Sequence, residues 1–126
     1  MNGPISYAPE ITIAVHVSDL TRSIEWYTKV LGFEMLYKVD EIAWAELATN
    51  VKGTHVGLSQ VERAEGSQSC VPTFAVEDIQ AARAHLESQD VRFDGDTLTI
   101  EGLVKLATFF DPDGNPFMFS QSLMQQ

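Results

Sequence analysis

The tetrapeptide Val17-Ser18-Asp19-Leu20 returns about 59 residues later in the chain as Val76-Glu77-Asp78-Ile79. An apolar run precedes each copy and a helical pattern follows it, which indicates that one strand-helix unit occurs twice. Asp19 in the first copy, and Asp78 or Glu77 in the second, stand where a side chain can accept from the first amides of a helix. We therefore predict a single domain over residues 1–126, with a first module at 8–62 and a second at 70–122.

The first module shows the pattern of a βαβββ unit. Residues Ile11 to Val17 are almost all apolar and often β-branched, which predicts a strand buried on both faces. A helical stripe follows, and Gly32 can take the left-handed conformation that ends a helix. The stripe consists of Leu20, Ile24, Tyr27 and Leu31, and three more strands are predicted at Phe33 to Val39, Ile42 to Ala48 and Thr54 to Gln60.

The second module repeats this pattern after a polar link at Val61 to Ser69. Asp111-Pro112-Asp113-Gly114 predicts a tight hairpin, because proline fixes φ, aspartate can bond its own backbone and glycine accepts a positive φ. The predicted helix buries Ile79, Ala82 and Leu86, and strands are expected near Cys70 to Val76, Val91 to Asp94, Thr97 to Ile100, Leu103 to Phe110 and Pro116 to Ser120.

Composition restricts the partners of the chain. Eighteen acidic residues against eight basic ones give a net charge of −10, which repels nucleic acid and anionic membranes. The acidity fits a well-solvated surface, and it also fits attraction of a cationic ligand. With no apolar run near 18 residues, no signal-peptide pattern and a single cysteine, Cys70, we expect a soluble cytoplasmic protein without an intrachain disulfide.

Two segments resemble the vicinal oxygen chelate superfamily, the fold group of glyoxalase I, extradiol dioxygenases, fosfomycin-resistance enzymes and bleomycin-binding proteins. They are Val15-His16-Val17-Ser18-Asp19-Leu20, with Ser23, Tyr27 and Leu31-Gly32-Phe33, and the later Asp111-Pro112-Asp113-Gly114-Asn115. The resemblance runs from about Ile11 to Ser120. It implies an α+β fold in which two βαβββ modules form a curved mixed sheet around a ligand cavity. In many members the modules pair across a homodimer.

The resemblance also implies four positions at which relatives hold a metal ion. In this chain they fall at Thr12, Gly57, Val71 and Met118. Catalytic metal sites of this kind use carboxylate and imidazole ligands, and none of these four residues supplies one. We therefore predict no metal and no other cofactor at these positions.

Residues two apart on a strand share a face, so the neighbours of those positions are candidates for ligand contact. The predicted ligand-binding residues are His16, Trp44, Glu46, His55, Thr12, Ser59, Thr73 and Met118. Trp44 could stack on a flat ligand or serve only in sheet packing. His16, Glu46 and His55 could alternatively form a displaced site for a divalent metal or an acid-base pair, or they could be ordinary polar residues at a strand end.

Three functions remain open on the sequence. The leading prediction is a metal-independent protein of the glyoxalase/bleomycin-resistance type that binds a small aromatic or cationic molecule in the cavity between the modules. The alternative is a metal-dependent lyase, isomerase or dioxygenase of the same superfamily, with His16, Glu46 and His55 as non-standard ligands. The third is a regulatory or subunit-contact module whose cavity is closed.

Overall fold

A computed structural model describes residues 4, 8–66 and 70–124 of the chain. The chain divides into two compact units, Met1–Glu62 and Arg63–Gln126. Each unit contains one helix and one four-stranded mixed sheet, which confirms the predicted α+β fold of two βαβββ modules. Part of the predicted link, residues 67–69, lies outside the described residues.

The first unit contains four strands and a helix. Its elements are β1 (Ile11–Val17), α1 (Leu20–Lys29), β2 (Glu34–Val39), β3 (Trp44–Ala48) and β4 (Thr54–Gln60), with a 3₁₀ turn at Asp40–Ile42 between β2 and β3. The strand order is β1-β4-β3-β2. β1 runs parallel to β4, and the other neighbours are antiparallel.

The second unit repeats this topology. Its elements are β5 (Thr73–Ala75), α2 (Ile79–Ser88), β6 (Leu98–Ile100), β7 (Val104–Phe110) and β8 (Pro116–Ser122). The strand order β5-β8-β7-β6 matches that of the first sheet, again with the first strand parallel to the last. The internal repeat in the sequence therefore corresponds to a repeat of structure.

Asp19 caps the first helix as predicted, and of the two candidates in the second copy Asp78 caps the helix. Asp19 has an extended backbone, and its Oδ1 accepts a hydrogen bond of 3.0 Å from the amide of Arg22. Asp78 has nearly the same backbone angles and accepts from Ala81 at 3.1 Å. Each carboxylate thus satisfies one of the amides that a helix start leaves without an internal partner.

A second cap, which the sequence did not reveal, comes from the last strand of each unit. Oε1 of Gln60, at the end of β4, accepts from the amide of Leu20 at 2.7 Å. Oε1 of Gln121, in β8, accepts from the amide of Ile79 at the same distance. We call this pair of contacts the glutamine latch, since it ties the first residue of each helix to the final strand of its own module.

The core of the first unit lies between α1 and one face of the sheet. Val15, Val17, Ala45, Leu47, Val56 and Leu58 are buried there with Leu20 and Tyr27 of the helix. The prediction that β1 is buried on both faces is wrong, because Thr12, Ala14 and His16 alternate with the buried residues and are exposed. Only one face of the sheet is covered by a helix, so buried and exposed side chains alternate along β1.

The core of the second unit is smaller and aromatic. Ile79 and Leu86 of α2 are buried with Ala107, Phe109 and Phe117, and the rings of Phe109 and Phe117 stack with centroids 5.8 Å apart. The other predicted helix residue, Ala82, is half-buried.

The predicted hairpin between β7 and β8 is confirmed. Oδ1 of Asp111 accepts from the amides of Asp113 at 2.9 Å and Asn115 at 2.8 Å, and Gly114 has a φ of +85°. The buried Asp111 carboxylate thus closes the turn with its own backbone neighbours.

The predicted strand at Val91 to Asp94 is wrong. The structure has one isolated bridge there, between Phe93 and Phe109. The chain leaves the sheet directly afterwards at Gly95, which has a φ of +73°. Phe93 resembles a strand residue because its ring packs against Phe109 and beneath the Arg83 guanidinium, and these side-chain contacts need no ladder.

No helix among the described residues combines the length and the apolar character that crossing a membrane requires.

Candidate functional site

The face of the first sheet that points away from α1 gathers polar and aromatic side chains. In the register of the strands, Thr12 lies opposite His55, and Glu46 lies opposite Gly57. Trp44 is two residues before Glu46 on β3 and therefore shares its face. Strand alternation alone thus brings four of the predicted site residues together: Thr12, Trp44, Glu46 and His55.

Glu46 is the centre of this group. Its side chain is buried, and both carboxylate oxygens accept hydrogen bonds. Oε2 accepts from the Thr12 hydroxyl at 2.8 Å and contacts His55 Nδ1 at 3.0 Å. Oε1 accepts from the Trp44 indole at 3.0 Å and from the Tyr37 hydroxyl at 3.4 Å, the longest of the four contacts. We call these five side chains the Glu46 cluster.

A β-bulge in β2 supplies the tyrosine of the cluster. Met35 pairs with Leu47 and Tyr37 pairs with Glu46, so Leu36 is an extra residue between two regular pairs. If β2 and β3 paired regularly beyond Met35, with no bulge, Leu36 and not Tyr37 would stand opposite Glu46. Bulges often redirect a side chain towards a site in this way. Sequence analysis missed Tyr37 because the segment Glu34–Val39 contains no glycine or proline that would reveal the bulge.

Two opposing effects act on the pKa of Glu46. Burial raises the pKa, because it disfavours the charged carboxylate. The hydrogen bonds from Thr12, His55 and Trp44 and the charge of His55 lower it, and together they outweigh burial, so the pKa lies below the ordinary value of 4.5. The cluster therefore holds Glu46 as a carboxylate at neutral pH.

The carboxylate also fixes the orientation of His55. An ionised carboxylate only accepts hydrogen bonds, so Nδ1 of His55 carries the proton in the contact with Glu46. In the neutral ring, Nε2 is then the acceptor, and it lies 3.8 Å from Oε2 of Glu10. Glu10, which the sequence analysis did not select, is exposed and places a second carboxylate at the outer edge of the cluster.

Gly57 makes room for Trp44. A Cβ at this position would overlap the six-membered ring of the indole. Gly57 has no positive φ, so the requirement for glycine here is one of space rather than of backbone angle. Gly57, one of the four metal positions that the resemblance implies, thus leaves space for an aromatic ring in this chain.

The remaining predicted residues are not among the side chains that bond Glu46, although Ser59 adjoins the cluster. His16 shares the face but pairs with Ser59, four residues along the strand from the Thr12–His55 pair, which is about 13 Å. Ser59 lies opposite Trp44 in the neighbouring strand. Thr73 and Met118 belong to the second unit, where they pair with each other between β5 and β8.

The donor set of the first unit does not fit a metal ion. The Thr12 hydroxyl donates its proton to Glu46, and the indole covers Gly57. Throughout residues 4, 8–66 and 70–124, no three His, Cys, Asp or Glu side chains come together as a metal site, so His16, Glu46 and His55 do not form the displaced site considered above.

Comparison with known proteins agrees with the repeated topology. The Glyoxalase/Bleomycin resistance protein/Dioxygenase superfamily profile matches residues 11–119. A comparison with functionally curated proteins gave no match.

Several solved structures are similar to this chain over most of its length. TnmS3, described as an antibiotic binding protein from Streptomyces sp. CB03234, is 26% identical with a TM-score of 0.76, and the alignment covers 96% of this chain and 99% of TnmS3. An integron cassette protein from the mobile metagenome of the Halifax Harbour sewage outfall is 27% identical with a TM-score of 0.75, with 89% and 97% covered. A superfamily member from Sphaerobacter thermophilus DSM 20745, at 21% identity and a TM-score of 0.79 with 94% and 98% covered, shows the shared fold.

Proposed function

The chain belongs to the Glyoxalase/Bleomycin resistance protein/Dioxygenase superfamily, and we propose that it binds a small molecule without the help of a metal ion. The binding surface is the Glu46 cluster together with Glu10. The observation that carries the proposal is the saturation of Glu46, whose two oxygens already accept from four neighbouring side chains. A carboxylate in this state holds its neighbours in place and has little capacity left for a metal or a ligand.

The groups that remain for the ligand are those that Glu46 positions. Trp44 offers an indole whose N–H is already bonded, Tyr37 offers an exposed ring, and His55 offers the lone pair of Nε2. The Glu10 carboxylate lies beside that lone pair. A flat aromatic molecule with an ammonium or another strong hydrogen-bond donor fits this set, because the ring stacks while the donor meets Nε2 and Glu10.

Two further observations support the proposal. The net charge of −10 attracts cations, which favours a cationic ligand. A similar protein of 26% identity is described as antibiotic-binding, which supports the binding of a small molecule. As a family member, the protein is also proposed to act in the cytoplasm as a homodimer.

The two tryptophans of the chain allow a direct test. The variant Trp26→Phe leaves Trp44 as the only tryptophan, so its fluorescence reports on the cluster, whereas Trp44→Phe leaves only Trp26 on α1. Titration at low salt with aromatic amines, and with neutral and anionic compounds of the same ring, should quench Trp44 and raise the Tm with the amines. The Trp26 signal should not change.

Ligand preference decides the outcome of this titration. The proposal fails if no compound of the series changes either Trp44 fluorescence or Tm. It also fails if the anionic compounds bind as well as the amines, because Glu10 would then play no part.

A second candidate function is acid-base catalysis on the bound molecule. It is favoured by the contact between Glu46 and His55 Nδ1, which leaves Nε2 as a base held in one orientation. A ligand found in the titration would then exchange an acidic C–H for deuterium in D₂O, as followed by NMR. His55→Gln would abolish the exchange while Trp44 quenching remained, and a lack of exchange by the unchanged protein would reject this function.

A further inference from the structure

The second unit contains a cavity that is separate from the Glu46 cluster. It has a volume of about 500 Å³, within the range of small-molecule sites. α2 forms one wall, and the segment from Thr97 through β6 and β7 forms the other. The lining residues are Ile79, Gln80, Arg83, Ala84, Glu87, Thr97, Thr99 and Lys105.

Basic charge is concentrated in this cavity. The chain has only eight lysines and arginines. Within the described ranges, Arg83 and Lys105 are the two whose side chains are half-buried, and the others are exposed. Both line the cavity, in a protein whose net charge is −10. Placing the two least solvated cations of a strongly acidic chain around one cavity indicates that the cavity accepts negative charge.

Arg83 is held rigidly at the cavity wall. Its guanidinium bonds the Glu87 carboxylate at 3.1 Å, the carbonyl of Gly95 at 2.9 Å and the Thr97 hydroxyl at 3.1 Å, and it lies over the ring of Phe93. The positive charge of Arg83 is therefore largely balanced by Glu87. Arg83 connects α2 to the segment before β6 through its bonds to Gly95 and Thr97.

Lys105 differs from Arg83 in having no partner. Its side chain points to the helix-facing side of β7, as do Ala107 and Phe109, and within the described part of the chain its ammonium has no hydrogen bond or ion pair. Thr99 lies opposite Lys105 in the β6–β7 register, and its hydroxyl is also unpaired within that part. A half-buried ammonium loses hydration without compensation, which a bound anion would restore.

We propose that this cavity binds a small organic monoanion, with its carboxylate at Lys105 and Thr99 and its hydrocarbon part against Ile79 and Ala84. A single negative charge is expected, because Glu87 already balances Arg83 and leaves a net charge of +1 on the lining. The site is independent of the Glu46 cluster and takes ligands of the opposite charge.

Three six-carbon probes test the site: hexanoate, hexanol and hexylammonium. Each is titrated into the full-length protein at low salt and followed by two-dimensional ¹H–¹⁵N NMR. Hexanoate should shift the amides of α2, β6 and β7, whereas hexanol and hexylammonium should not do so at the same concentration. Losing the charge-assisted bond to Lys105 should weaken hexanoate binding about tenfold in Lys105→Gln.

Two other variants complete the test. Lys52→Gln removes an equal charge from an exposed turn and should leave the affinity unchanged. Thr99→Glu, at an exposed strand position opposite Lys105, should give that lysine an internal carboxylate and compete with hexanoate even if Lys105→Gln does not fold. The proposal is overturned if hexanoate shifts no amides of this unit, if hexanol binds equally well, or if Thr99→Glu binds hexanoate as tightly as the unchanged protein.

Discussion

At the scale of single residues, the Glu46 cluster depends on one buried carboxylate. Glu46→Gln keeps the shape of the side chain but replaces one acceptor oxygen with an NH₂ group, which cannot accept from its present donors. We expect a loss of about 1–3 kcal/mol in the free energy of unfolding at pH 7, as measured by urea denaturation. Glu41→Gln changes the charge equally at an exposed position and should cost much less. Equal losses in the two variants would contradict this role for Glu46.

The lowered pKa of Glu46 adds a dependence on pH. The folded protein binds this proton less readily than the unfolded chain, so stability from Glu46 is complete above the ordinary value of 4.5 and is lost as pH falls through the lowered pKa. The stability difference between the unchanged protein and Glu46→Gln should therefore shrink as the pH falls below 4.5. Denaturant titrations across this range measure it, and a difference that widened would refute the assigned direction.

Gly57 and Trp44 form a coupled pair. Gly57→Ala should displace the indole and break its bond to Glu46, with a cost of about 1–3 kcal/mol from overpacking. In a Trp44→Ala background the indole atoms that this methyl group would overlap are absent, so the same change should cost much less. A double-mutant cycle by urea denaturation measures the coupling between the two residues. Additive effects of the two changes would show that the Trp44 ring does not pack on Gly57.

At the scale of elements, the glutamine latch acts on both helices. Gln60→Ala and Gln121→Ala each leave the first amide of a helix without its side-chain acceptor, so each should cost about 0.5–1.5 kcal/mol in the free energy of unfolding. Gln89→Ala, at the exposed end of α2, provides the matched control for loss of a glutamine side chain. A cost no greater than that of the control would show that water replaces the latch.

The elements that could be predicted are those with a local chemical signal. Asp19 and Asp78 signal helix starts, and Asp111 with Gly114 signals a turn, because each acts on backbone within a few residues. The latch could not be predicted, since Gln60 acts on an amide 40 positions away in sequence. The strand assigned near Phe93 failed because ring packing and strand pairing favour the same residue types.

The candidate site also contains a part that the sequence predicted and a part that it did not. Alternation along β1, β3 and β4 placed Thr12, Trp44, Glu46 and His55 on one face, which the strand registers bear out. The contact of Tyr37 with Glu46 depends on the bulge, and the distance of His16 from the Thr12–His55 pair depends on which residues lie opposite each other. Both depend on the strand register, which is set by the pairing of two strands and has no signal in the sequence of either strand alone.

At the scale of the whole molecule, the net charge of −10 should destabilise the folded state by self-repulsion. Raising the salt concentration from about 0.01 M to about 0.3 M shortens the screening length severalfold and should raise the Tm at pH 7. Near the sequence pI of about 4.5 the same change should have little effect. Calorimetry at the two pH values tests this, and a Tm that falls with salt at pH 7 would show that attractive ion pairs dominate.

The bulge in β2 also bears on how this chain can change during evolution. Met35 and Tyr37 keep their partners on β3 whether or not the residue between them is present, so loss of Leu36 would transfer no side chain to the opposite face. A deletion within β3 or β4, each flanked by strands on both sides, would misalign two ladders at once. Among the strands of this sheet, a single-residue deletion is therefore expected to be tolerated better at the bulge in β2 than within β3 or β4.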